Sequence, residues 1–176
     1  MNQLQAFLGQ EMFWEKTAIF GSKYQLVTSD EVLATLDMDA WGKGATAQAA
    51  EGSVSIESRG FLNTSYHIHQ ADTERAVYTP GWGSSGTLQF ADGRRFKWSG
   101  MGFLSGEYAW KDESDRPLIR FHSSFGGGKL YVVIEPVAGT MPELSLLVIL
   151  GKYLETLQQR KKRAAQNNNN MPKYQA

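Results

Sequence analysis

The stretch that most constrains this chain lies near its end, in "PELSLLVILGKYLETLQQRKKR". At 100° per residue Leu144, Leu146, Leu147, Val148, Ile149 and Leu150 spread around a whole helix, whereas Leu150, Tyr153, Leu154 and Leu157 gather in one stripe. A helix that is apolar all round must be enclosed by protein or by lipid. A membrane span needs about 20 apolar residues; here Glu143 precedes the run, and Lys152 and Glu155 follow it, so it is too short to cross. Thr140 and Glu143 have the spacing of a capping box, and Pro142 suits a first turn. The expected helix therefore begins near Met141 and covers 141–163.

The residues before it alternate with period two. In "EVLATLDMDAW" one face takes Val32, Ala34, Leu36, Met38 and Ala40, and the other Thr35, Asp37 and Asp39, the pattern of a half-buried strand. Val54 with Ile56, Tyr66 with Ile68, Leu88 with Phe90, Phe96 with Trp98, Tyr108 with Trp110, Ile119 with Phe121, and Leu130, Val132 and Ile134 repeat it. "YQLVTSDEVLATL", "LQFADGRRFKW" and "YAWKDESDRPLIRF" each read as strand, acidic turn, strand, with Asp92-Gly93 suiting a two-residue type I′ turn. Parallel strands would need long crossovers for which there is no room. Residues 1–20 read as a short helix or an irregular lead-in, so about ten strands precede the helix.

A helix with its side chains is about 10–12 Å across. Barrels of about eleven strands hold such a helix, whereas eight strands are filled by their own side chains. The expected fold is thus mainly β: a closed antiparallel barrel of about 10–12 strands enclosing a hydrophobic C-terminal helix. It forms one domain over 1–163, followed by a disordered polar tail over 164–176 that contains "QNNNN". A length of 176 residues fits one domain with a single core.

The formal net charge is zero, so no global field draws the chain to nucleic acid. Cysteine is absent, which removes disulfides, thiolate nucleophiles and sulfur-ligated metals. The first residues show no early cation followed by a long apolar stretch, and the expectation is a cytoplasmic protein.

The short hairpins, the meander, and a last strand "KLYVVIEPV" leading through Gly139 into "ELSLLVILGKYLETL" resemble the tubby C-terminal-like superfamily, which includes LURP-one-related and phospholipid scramblase-like proteins. The resemblance covers residues 13–163 and lies in pattern and order. It implies a twelve-stranded antiparallel barrel around a hydrophobic helix and, in some members, binding to phosphoinositides or other membrane lipids. The chain lacks a cysteine cluster, a calcium loop and a Lys/Arg pair that aligns with the tubby phosphoinositide site, so no family binding residue is carried over.

Few residues point to chemistry. His67 and His69 share a strand face, and His122 could add a third imidazole for zinc; the simpler reading is three polar, outward-facing strand residues. "FGGGKL" lacks the spacing of a phosphate loop, and Ser99 in "WSG" lacks a nucleophile elbow. Asp37 and Asp39 fit a solvated face more simply than paired catalysis.

Two basic clusters remain. Arg160, Lys161, Lys162 and Arg163 either complement the helix dipole or meet anionic headgroups. Arg94, Arg95 and Lys97 surround the Asp92-Gly93 hairpin. The function expected is a non-enzymatic binding or scaffold module, without cofactor, that associates with anionic phospholipid. The alternative is a small-ligand carrier or enzyme with a barrel pocket, which needs interior volume that the helix should occupy.

Overall fold

The computed structural model describes residues 3–17, 21–62, 64–101, 106–124 and 128–169. Twelve strands follow one another: β1 (Met12–Lys16), β2 (Lys23–Val27), β3 (Val32–Met38), β4 (Gly44–Ala49), β5 (Gly52–Arg59), β6 (Ser65–Gln70), β7 (Thr73–Pro80), β8 (Gly86–Phe90), β9 (Arg95–Gly100), β10 (Glu107–Lys111), β11 (Pro117–Ser123) and β12 (Lys129–Ile134). Each pairs antiparallel with its neighbour in sequence, and β1 closes the barrel on β12 through Met12↔Val132 and Trp14↔Leu130. A single-turn 3-10 helix, Leu4–Phe7, opens the lead-in, but Met12–Lys16 within the 1–20 segment read as helix or irregular chain is the strand β1, paired on both sides.

The helix α1 (Leu144–Asn169) threads the barrel. Residues 143–156 are buried, a run of about 20 Å at 1.5 Å per residue. The barrel interior is uneven around it. Ala34, Ala45, Ala47 and Ala49 leave room on the side of β3 and β4, while Trp98, Tyr108, Trp110 and Phe121 fill the side of β9 to β11. There the Trp98 ring lies 5.3 Å from that of Tyr108, 5.1 Å from Trp110 and 5.3 Å from Phe121. Trp110 Nε1 donates to the Leu147 carbonyl at 2.8 Å, a direct bond from wall to helix. Burial holds the phenols of Tyr78 and Tyr153 well above their ordinary pKa, so both are neutral.

Several local expectations are corrected. The helix starts at Leu144 rather than near Met141, because Glu143 does not close a capping box with Thr140; its carboxylate accepts from Arg94 instead. It also continues past Arg163, so 164–169 of the expected tail is helical, and 170–176 lies outside the described residues. Residues 125–127 of the "FGGGKL" segment lie outside them too.

At the β8–β9 turn, Phe90 N–H donates to Arg94 O and Gly93 N–H to Phe90 O, both at 2.9 Å. That is a three-residue connection with only Gly93 left-handed, not a two-residue turn. The two-residue left-handed turn is Ala71-Asp72, joining β6 to β7. Val32 and Ala40 leave the inward face of their strand: a bulge in β3 at Leu33, opposite the Leu26–Val27 step, shifts the first, and the second lies beyond the strand end.

Candidate functional site

In an antiparallel meander every second connection lies at the same end of the barrel. The strand ends at the β1–β2, β3–β4, β5–β6, β7–β8, β9–β10 and β11–β12 connections therefore share one rim, and those at β2–β3, β4–β5, β6–β7, β8–β9 and β10–β11 share the other. The helix leaves through the first rim. Tyr153 Oη donates to Gly42 O at 2.7 Å, Arg160 Nη2 to Ser22 Oγ at 2.7 Å, and Ser84 Oγ to Gln158 Oε1 at 3.3 Å.

The two rims differ in chemistry. At the helix-exit rim Trp41, Phe61, Leu62 and Trp82 are 86%, 98%, 89% and 97% exposed, which is where large apolar side chains gain least from folding. The opposite turns are tight and carry Asp30, Glu31, Glu51, Asp72, Asp92 and Asp112. Hydrogen bonds from Arg94 and Arg116 hold Asp92 and Asp112 below the usual carboxylate range. Zero net charge thus conceals a polarised molecule.

The two basic clusters are not brought together. Arg94 lies at the acidic rim, bonded to Asp92 and to the buried carboxylate of Glu143, whose hydrogen bond raises the Arg94 pKa further. Lys97 pairs with Asp115 at 3.2 Å, and Arg95 is exposed beside it. Glu143 and Arg160 are 17 positions apart on the helix line, about 26 Å. Arg160, Lys161, Lys162 and Arg163 stand at the exit rim among the apolar tips; Lys162 borders the same depression as Trp82. The helix-dipole account of these four does not hold, because α1 runs on to Asn169 with no basic residue in its last turn, and the dipole effect fades within that turn.

The histidines do not converge. His67 and His69 face outward on β6, where Glu74 Oε2 lies 2.7 Å from His67 Nδ1 and 3.7 Å from His69 Nε2. His122, on β11, stacks on Tyr131 at 5.0 Å, five strands away around the barrel. Among the described residues no group of three or more His, Cys, Asp or Glu could hold a metal.

One feature was not legible in the sequence. Between β1, β2, β12 and the emerging helix lies a cleft of about 300 Å³, lined by Trp14, Lys16, Ser22, Tyr24, Lys152 and Glu155, with Arg160 and Arg163 also on its wall. Lys152 and Glu155 are buried, paired at 3.0 Å, with the Lys152 ammonium 4.5 Å from the Tyr24 ring centre. The apolar tips did leave a signal: Trp41, Phe61 and Trp82 each adjoin a glycine in a connection between strands. No helix among the described residues is long and apolar enough to cross a membrane. Comparison with protein-family models, with curated proteins and with solved structures gives no match to this chain, so the fold and the rim stand on their own geometry.

Proposed function

We propose that this protein is a non-enzymatic binding module of the tubby-like kind that docks on an anionic phospholipid surface through its helix-exit rim. The observation that carries the reading is the arc of exposed Trp41, Phe61, Leu62 and Trp82, on three successive connections of the rim from which the helix carries out the cations at 160–163. Tryptophan favours the headgroup level, where its ring meets apolar and polar matter together. Peripheral binding grows with inserted apolar area and with attraction to anionic lipid, about 1 kcal/mol for each cation near the surface. The apolar tips are spread over three connections, which suits insertion between lipids better than a flat protein partner. The acidic turns at the far rim would be repelled by the same surface and so favour one orientation.

Cosedimentation with vesicles of phosphatidylcholine and phosphatidylserine tests this. Wild type should pellet, bind less as salt rises, and stay in solution with phosphatidylcholine alone. Arg160→Gln/Lys161→Gln/Lys162→Gln/Arg163→Gln, and separately Trp41→Ser/Trp82→Ser, should each weaken binding at least about tenfold. Equal sedimentation of wild type and both variants, or none with any of them, would reject the rim as a lipid surface.

A further inference from the structure

We propose that the cleft beside the helix exit binds the phosphate group of a monoester. This stands apart from membrane docking, because it concerns an inward-facing site behind the rim and a ligand that can be soluble.

Its wall carries five cations, Lys16, Lys129, Lys152, Arg160 and Arg163, against one carboxylate, Glu155, and the Lys129 ammonium lies over the Phe13 ring at 3.7 Å. That carboxylate is already engaged by Lys152 and by Gln159 Nε2. Arg160 is held in place by Ser22 Oγ and by the Asp39 carbonyl. Lys16 and Arg163 have no ion-pair partner among the described residues.

A second, independent observation concerns Trp14, which lines the cleft. Trp14 is 1% exposed, and its Nε1 has no hydrogen-bond partner among the described residues. A buried indole N–H with no acceptor is unfavourable, and a ligand acceptor that reached it from the cleft that Trp14 lines would satisfy it. Indole, ammonium and guanidinium groups donate and cannot accept. The ligand must therefore be rich in acceptors and anionic. A phosphate monoester, with charge near minus two and three strong acceptor oxygens, matches this excess of cations better than a carboxylate does. A volume of about 300 Å³ is at the low end for small-molecule sites and limits the ester to a compact group.

Glycerol 3-phosphate is the soluble probe, titrated by calorimetry against the full chain. Wild type should bind it saturably. Lys16→Gln/Arg163→Gln alters two exposed side chains and should weaken binding at least about tenfold, as expected for loss of charge-assisted bonds. Trp14→Phe keeps an aromatic ring and removes the N–H, and should weaken it severalfold. Trp41→Ser/Trp82→Ser should leave it unchanged, which separates this site from the rim. Vesicles carrying phosphatidic acid, matched in charge with phosphatidylserine vesicles, identify the source of the phosphate. Preferential retention on phosphatidic acid, lost in Lys16→Gln/Arg163→Gln, supports the site with a lipid headgroup as ligand. Equal retention together with glycerol 3-phosphate binding supports it with a soluble ester. Absence of both glycerol 3-phosphate binding and phosphatidic acid preference, or binding that the double variant leaves unchanged, would overturn the proposal.

Discussion

Replacing Gly151 with alanine should destabilise the protein, although alanine is the better helix former. A Cβ at this position would lie 2.3 Å from Phe121 Cζ, 2.7 Å from Cε1 and 2.8 Å from Cε2. Carbon atoms prefer about 3.5–4.0 Å, so the added methyl intrudes by more than about 1 Å. The ring has nowhere to go: Phe121 is fully buried, faces Trp98 at 5.3 Å, and sits on a strand paired on both sides. Overpacking of a filled core costs about 1–3 kcal/mol, and this encased ring belongs at the upper end. Glycine to alanine inside a helix returns about 1 kcal/mol. The net is a loss of about 2 kcal/mol, or about 4–8 °C in Tm for a chain of this length. Urea unfolding followed by tryptophan fluorescence measures it as a lower midpoint at unchanged m. Phe121→Leu introduced into the alanine variant should recover part of the loss, since the two sites are in contact and will not be additive. A Gly151→Ala protein as stable as wild type would mean that the helix does not press on this wall at this depth, and the threading of the barrel would be wrong.

Leu147→Asp should be far more damaging: Leu147 is fully buried and its carbonyl receives Trp110 Nε1, so an unpaired carboxylate there should abolish the folded state, read as loss of cooperative unfolding and of soluble yield. A soluble, cooperative Leu147→Asp protein would place the helix outside the barrel. The Glu74 carboxyl is held below its usual range, chiefly by its hydrogen bond with His67, with the charges of His67, Arg59 and His69 adding to it. A lowered carboxylate pKa gives stability that is present above the unfolded value near 4.3 and is lost as pH falls through the folded value. Glu74→Gln should therefore flatten the acid limb of stability below about pH 4.3, by no more than about 1 kcal/mol because the Glu74 carboxylate is exposed to solvent; urea midpoints that fall in parallel for wild type and variant would refute this.

The sequence by itself determined that a helix apolar on all sides had to be enclosed, and that strands too closely spaced for crossovers had to pair as an antiparallel meander. Both follow from local periodicity, which records which side of each residue faces away from water. It could not show that Met12 to Lys16 closes the ring on β12, because alternation marks a face and does not name a partner. Nor did it separate the basic clusters: Arg94 and Arg160 are both cations on paper, and only the passage of the helix through the barrel puts them at opposite ends. Alanines at 45, 47 and 49 carry so little hydrophobic contrast that β4 was silent, yet they face the core. Lys152 and Glu155 mark the end of the apolar run in the sequence but lie buried in the fold, because the barrel wall extends past the run and each charge offsets the desolvation of the other. The cleft joins Trp14 and Lys16 to Lys152 and Arg163, residues at opposite ends of the chain, and no local pattern could have paired them; barrel closure alone sets them face to face.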